Sequence, residues 1–330
     1  MIPPGFSTAT LAIDPEKETA RIVEVLRHQL SRDLRRRGLV IGLSGGIDST
    51  VTAALAVRAL GKERVFGIMM PERHSDADTG SLGQKVAASL GITSVEENIT
   101  GILESLGFYR RYDEAIREVI PEFATDWVSK LVIGGVSSGH SYTTFSIVAQ
   151  APDGRIVRER VPLNAYLGIV AATNFKQRTR KMLEYYHADR LNYAVAGTPN
   201  RLEYDQGFFV KNGDGSADVK PIAHLYKTQV YQLAEYLGVP SEIRQRLPTT
   251  DTYSMPQGQD EFYFALPYQQ MDLCLYALNH KLPAETAASA ANLTPEVVRQ
   301  VWSDIERKRS TTRYLHLRPL LVESVLEVSS

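Results

Sequence analysis

Six consecutive residues, Ser44-Gly45-Gly46-Ile47-Asp48-Ser49, bring together two glycines, two hydroxyls and one carboxylate directly after the apolar run Leu39-Val40-Ile41-Gly42-Leu43. An apolar run followed by a glycine turn reads as a buried strand entering a helix. The first N–H groups of a helix have no partner within it and carry a partial positive charge, and turn amides add a concave nest. Such a junction suits a phosphate. Gly45 and Gly46 would let the backbone approach the anion without a Cβ, and Ser44 and Ser49 add hydroxyl donors. Asp48 is the anomaly. A carboxylate repels a phosphate unless a divalent cation stands between them. The alternative for the same residues is a plain glycine turn with Asp48 and Ser49 capping the helix. No GxxxxGK followed by Ser or Thr is present, so the turn is not a Walker-type loop.

Further residues with chemical capacity lie downstream. Asn174 and Arg178 stand four apart and would share one helix face. Arg178 could hold a phosphate or carboxylate, or could join Lys176, Arg180 and Lys181 in a solvated basic face. Thr198 follows an apolar run over 191–197, and Glu203 comes in the loop after it. Glu203 could be a second carboxylate opposite Asp48, since Mg²⁺ usually takes only one or two protein carboxylates plus phosphates. A solvated glutamate fits the sequence equally. Lys211, Asp214 and Asp218 surround a Gly-Asp-Gly turn. Lys227 opens a helix predicted over 226–237, where a cation opposes the dipole, a mismatch that a nearby phosphate would relieve.

For these residues to meet, strands and helices must alternate. The spacing of apolar residues predicts an amphipathic helix over 15–37 and then the buried strand before the glycine turn. It continues with a helix over 49–61, a strand over 64–70, a helix over 78–90, a strand over 93–99, helical segments to about 120, and the strand near 191–198. This order implies an α/β, doubly wound, mostly parallel sheet with helices on both faces, whose ligands collect at the carboxyl ends of strands. Two regions break the rhythm. Within 121–165, two β-rich runs flank Ala151-Pro152-Asp153-Gly154 and predict an inserted β-hairpin. From about 265 onward the pattern is helical, with a helix start at Thr294-Pro295. The expectation is one domain over 1–330 with an insertion at about 121–165.

The chain has 330 residues and a net charge of -1, which gives no general attraction to nucleic acid. No apolar run is long enough to span a bilayer, and the start lacks the basic-then-apolar pattern of an export signal, so a cytoplasmic place is expected. The single cysteine, Cys274, excludes an intrachain disulfide and a multi-cysteine metal site. Its neighbours are apolar at helical spacing, so it reads as packed rather than nucleophilic.

The glycine turn resembles the PP-loop of ATP pyrophosphatases, which cleave ATP between its α- and β-phosphates and adenylate an acceptor. Within that class the middle of the chain is similar to the second signature block of NAD synthetases. In order come Asn174, Arg178 and Arg180, then Gly197-Thr198, Glu203, Gly207-Phe208-Phe209 with Lys211 and Gly213-Asp214-Gly215, then Ala217-Asp218, Pro221 and Lys227. The segments 247–251 (LPTTD) and 258–261 (GQDE) continue the order, and 306–309 (ERKR) resembles the C-terminal basic pair.

The resemblance implies an ammonia-dependent NAD synthetase: ATP adenylates the carboxylate of deamido-NAD, and ammonia displaces AMP. It assigns ATP to Gly42, Leu43, Ser44, Gly45, Gly46, Ile47, Asp48, Ser49, Thr198, Lys227 and Thr249. Deamido-NAD falls to Asn174, Arg178, Lys211, Asp214, Asp218, Arg307 and Lys308, and Mg²⁺ to Asp48 and Glu203. Asp48, Lys211 and Lys227 are the implied catalytic residues. The family is homodimeric with its acceptor site at the interface. Glutamine-using relatives carry a cysteine hydrolase domain, for which the residues before 39 leave no room, so ammonia is expected free or from a separate glutaminase. Departures are Arg307 where the family usually has histidine, Pro199-Asn200-Arg201-Leu202 before Glu203, and the missing Glu-Leu-Gly after 258–261. An amide ligase acting on another carboxylate is the second reading. A non-catalytic nucleotide-binding module is the third, opposed by the joint presence of Asp48, Glu203, Lys211 and Lys227.

Overall fold

A computed structural model describes residues 5–75, 77–133, 145–246, 252–258, 263–264 and 266–325. The first part runs α1 (Pro15–His28), β1 (Leu39–Gly42), α2 (Ile47–Leu60), β2 (Val65–Met69), α3 (Ala77–Leu90) and β3 (Thr93–Glu96). After α4 (Thr100–Ser105) and α5 (Phe108–Arg117) come β4 (Val128–Ile133), β5 (Phe145–Gln150) and β6 (Ile156–Arg160). The long α6 (Leu163–Leu191) returns the chain to β7 (Ala194–Ala196), followed by α7 (Arg201–Gln206), α8 (Lys227–Tyr236) and α9 (Ser241–Gln245). The chain ends in α10 (Tyr268–Asn279), α11 (Ala284–Ala291) and α12 (Pro295–His316).

The main sheet is parallel, in the order β3-β2-β1-β7, with Leu39 paired to Val65 on one side and Ala194 on the other. Alternation along β1 and β2 feeds two cores, as a strand covered on both faces requires. Leu39, Ile41, Val65 and Met69 pack with α1, α2 and α8, through Leu26, Leu55 and Leu233. Val40, Phe66 and Ile68 pack on the other face with α5 and α6, through Phe108, Ile116 and Ile169. The doubly wound sheet expected from the sequence is thus present. A third core joins α10, α11 and α12 around Cys274, Ala287, Val298 and Ile305, which is the expected helical C-terminal part.

The insertion is larger than a hairpin. β5 and β6 match the expected pair, but β4 joins β5 antiparallel to make a three-stranded sheet, with Val128 opposite Gln150. The strand escaped sequence reading because one of its buried positions is polar: Ser129 and Leu131 face inward, and both are fully buried. Among the described residues no helix is long and apolar enough to cross a membrane.

From β1 the chain builds outward to β2 and β3 on one side and returns to β7 on the other. The order therefore reverses between β1 and β7, and the crevice beyond their carboxyl ends is where an open α/β sheet binds its ligand.

Candidate active site

The glycine turn connects β1 to α2 in that crevice. Its two glycines differ. Gly45 takes φ +71°, a left-handed conformation, and a Cβ there would stand 2.6 Å from Leu82 Cβ. It makes the turn and packs against α3. Gly46 has ordinary φ and is the N-cap of α2, without a side-chain cap hydrogen bond. The plain capping alternative therefore fails: Asp48 and Ser49 lie inside the first turn, and Ser49 Oγ donates back to Gly46 O at 3.0 Å. Ser44 Oγ and Ser49 Oγ pair at 3.2 Å, and Gly46 N–H donates to Ser44 Oγ at 3.3 Å.

Asp48 faces α8 across the crevice. Lys227 Nζ donates to Asp48 Oδ2 in an ion pair whose side chains are 2% and 17% exposed respectively. Burial acts against the ammonium, but the carboxylates of Asp48 and Glu203 outweigh it and hold the Lys227 pKa above its ordinary value. Glu203 belongs to the first turn of α7 rather than to a loop. Asn200 organises that turn, because its side chain accepts from Leu202 N (2.9 Å) and Glu203 N (3.3 Å) while Glu203 Oε2 accepts Asn200 N at 3.1 Å. This capping box also ties α7 to the glycine turn, since Asn200 Nδ2 donates to Asp48 Oδ1 at 3.3 Å.

Lys227 is the first residue of α8, the position where its cation opposes the dipole. The fold answers this with Asp272 of α10. Its Oδ1 accepts Lys227 N at 3.2 Å and its Oδ2 accepts Thr228 N at 2.7 Å. Asp272 is fully buried, and burial raises its carboxyl to about 7 against the pull of those N–H groups.

A cavity of about 470 Å³ opens from this point. Of the residues the sequence singled out, Gly42, Leu43, Ser44, Gly46, Ile47, Asp48, Ser49, Asn174, Thr198, Glu203, Asp214 and Lys227 line it. Asp214 Oδ1 accepts Val210 N at 2.7 Å, and burial raises its carboxyl pKa. Other residues stand outside the wall. Asp218 holds β7, accepting Val195 N at 2.7 Å and Tyr185 Oη at 3.3 Å. Lys211 Nζ donates to Tyr314 O at 2.8 Å at the end of α12, and Arg178 Nε donates to Lys211 O at 3.3 Å. Arg307 pairs with Asp304 at 2.6 Å on the exposed side of α12. Lys308 also pairs with Asp304 at 2.6 Å and lies over the Tyr263 ring, one layer behind the wall. Thr249 lies outside the described residues, as do residues 259–261 of the GQDE segment.

Of the basic face proposed for α6, Arg178 is exposed, but Lys176 and Lys181 are buried. Lys176 is 1% exposed and pairs with Glu72 at 2.7 Å, while Tyr109 Oη donates to Glu72 Oε2 at 2.9 Å. Lys181 pairs with Glu184 at 2.6 Å, both nearly buried. These pairs sit in or beside the cavity wall and were missed. A signal existed: Ala165, Ile169 and Ala172 precede Lys176 at helical spacing, which places it on the buried stripe. Asn200 and Asp272 were missed as well, although Asp272 stands alone in the apolar run Met271–Ala277.

Among the described residues no group of three or more His, Cys, Asp or Glu could hold a metal. The donor set at the glycine turn is instead two carboxylates: Asp48, which pairs with the Lys227 ammonium, and Glu203, whose charge also favours that ammonium. Two carboxylates beside a phosphate nest fit Mg²⁺, which draws its remaining ligands from phosphate and water.

Three comparisons bear on this arrangement. The NAD synthase family profile matches residues 18–124 and 147–313, leaving out all of β4 and the start of β5. The chain is 59% identical over 97% of its length, and 97% of the relative's, to an NH(3)-dependent NAD(+) synthetase of Rhizobium rhizogenes. It resembles the solved structure of an NMN synthetase from Francisella tularensis at a TM-score of 0.65, covering 94% of this chain and 99% of that one at 22% identity. It also resembles an NH3-dependent NAD synthetase from Campylobacter jejuni at 0.61, covering 94% and 100% at 22% identity. The last two likenesses concern the fold.

Proposed function

This chain belongs to the NAD synthase family, and from that we propose that it is an ATP-dependent amide ligase that converts deamido-NAD to NAD with ammonia, releasing AMP and pyrophosphate. One observation carries the mechanism: Asp48 pairs with Lys227 beside the glycine turn, and the charge of Glu203 acts on the same ammonium. A carboxylate is a poor acyl donor because its oxygen leaves badly, so amide formation needs activation. The turn amides and the Ser44 and Ser49 hydroxyls hold the β- and γ-phosphates, and Lys227 offsets their charge, so pyrophosphate can leave. Mg²⁺ held by Asp48 and Glu203 would add charge neutralisation at those phosphates. The acceptor carboxylate attacks the α-phosphorus, and ammonia then displaces AMP from the acyl-adenylate. The protein's part is positioning and electrostatics.

The ammonia is free or comes from a separate glutaminase. Cys274 is fully buried, and burial pushes its thiol up to about 12, which leaves no thiolate to attack glutamine. A homodimer in the cytoplasm, each chain one domain with an insertion, completes the reading. Leu163, Leu167, Met182 and Tyr186 form an exposed stripe along α6, each more than half exposed, and Arg178 lies on the same face. A second copy covering that stripe would bring Arg178 and Lys211 into a shared acceptor site, which accounts for their position outside the wall of their own cavity.

Phe145 of the inserted sheet lines the cavity, which favours one second reading, the same chemistry on a different carboxylate. An acceptor screen with ATP, Mg²⁺ and ammonia, scoring AMP, separates the two. Deamido-NAD is expected to give the highest kcat/KM, and AMP formation only with another acid would replace the substrate.

A further inference from the structure

Among the described residues the inserted sheet reaches the cavity at Phe145. Phe145, at the start of β5, lines the wall and stacks on Tyr166 of α6 with ring centroids 4.4 Å apart, and Tyr253 adds a third ring to the lining. Tyr253 belongs to a segment laid along the outer edge of β4. Met255 N donates to Ser129 O at 3.1 Å, Ser129 N donates to Ser254 Oγ at 2.8 Å, and Gln257 Nε2 donates to Leu131 O. From α6, the buried Lys176 ammonium donates to Thr252 O at 3.0 Å. The insertion therefore both contributes to this aromatic wall and fixes it in place.

The wall is far from the glycine turn. Tyr166 and Glu184 both line the cavity from α6, and the helical rise of ~1.5 Å per residue separates them by about 27 Å. Glu184 marks the turn end, since a Cβ on Gly42 would stand 3.0 Å from its Oε1. That end also has an apolar lining from Ile68, Met69 and Met70, which suits the adenine of the ATP whose phosphates the turn holds. The aromatic end is left for a different flat ligand.

Resting on the function proposed above, we propose that Phe145, Tyr166 and Tyr253 form a subsite that stacks on the unreacting ring of a dinucleotide acceptor, so that the insertion selects a dinucleotide over a half-length mononucleotide. The acceptor's carboxylate ring must lie at the α-phosphorus of ATP. Its second ring, joined through the pyrophosphate link, extends away along α6, and a purine face stacks well on aromatic side chains.

The test uses the full chain with three substitutions at one position. Phe145→Leu keeps apolar volume but removes the stacking face, and it should raise KM for deamido-NAD about tenfold with KM for ATP unmoved. Nicotinate mononucleotide lacks the distal ring, so its KM as acceptor should be the same in wild type and variant. Phe145→Tyr, which keeps the face, should restore the wild-type KM for deamido-NAD. Phe145→Ala, checked by its unfolding midpoint, should match or exceed the leucine variant. An unchanged KM for deamido-NAD in Phe145→Leu, or an equal rise for ATP or the mononucleotide, overturns the subsite. Wild-type protein that forms no AMP with deamido-NAD contradicts the functional reading itself and removes this ligand with it.

Discussion

Asp48 and Lys227, 179 positions apart in sequence, form a nearly buried ion pair at the point where β1 and β7 part. The pair links the two halves of the site, because α2 carries one partner and α8 the other. Asp48→Asn keeps the shape and removes the charge, leaving the Lys227 ammonium with Glu203 alone. We expect kcat to fall by roughly 10²–10³ at saturating Mg²⁺, and unfolding free energy in urea to fall by about 2–3 kcal/mol. Wild-type turnover in this variant would remove Asp48 from the chemistry.

Asp272 should control Lys227 from behind. Asp272→Ala removes the acceptor for the first two N–H groups of α8, a loss of about 1–2 kcal/mol, and should lower turnover by displacing Lys227. Asp272→Asn keeps one acceptor and should recover part of both.

The same carboxyl predicts a pH effect of definite sign. Burial raises it from the model-peptide 3.8 to about 7, so the folded protein binds its proton more tightly than the unfolded chain. Its contribution is therefore full below about pH 4 and is lost as pH rises through about 7. The stability difference between wild type and Asp272→Asn, measured by urea unfolding, should move against the wild type across that range. A difference independent of pH would show that the carboxyl titrates normally.

Cys274→Ser should retain ammonia-dependent turnover. The cost is structural, about 1–3 kcal/mol for a hydroxyl in an apolar site, read as a lower thermal midpoint. Glutamine-supported turnover by purified wild type that this variant abolishes would contradict the packing role.

The buried Lys176–Glu72 pair allows a thermodynamic test. Glu72→Gln removes the counter-charge of the buried Lys176 ammonium and should cost about 3–5 kcal/mol. Adding Lys176→Met should restore part of that loss, since the uncompensated charge goes with it. Strictly additive losses in the double-mutant cycle would mean the two groups do not interact.

Much of this site is legible in the sequence because its parts are local. The glycine turn follows its strand directly, and Thr198 and Glu203 follow theirs, so hydrophobic patterning alone places them at one sheet edge. What stayed hidden depends on long-range burial. Lys176 and Lys181 look like surface lysines until Glu72 and Glu184 are placed beside them. Asp272 acts on a helix that begins 45 residues earlier. Glu203 reads as a loop residue in sequence because the Asn200 capping box that starts α7 lies directly behind a proline. Ser129 hid β4 because a buried hydroxyl, bonded to Tyr112 Oη at 2.8 Å, interrupts the apolar alternation.

Oxygen transfer reports whether the acceptor carboxylate attacks the α-phosphorus of ATP. With deamido-NAD whose carboxylate carries heavy oxygen, attack puts one carboxylate oxygen on phosphorus, and ammonia then leaves it there. Mass spectrometry of the products should find one heavy oxygen in each AMP formed and none in the pyrophosphate. Unlabelled AMP, or label appearing in inorganic phosphate with ADP as the nucleotide product, would contradict the adenylate mechanism.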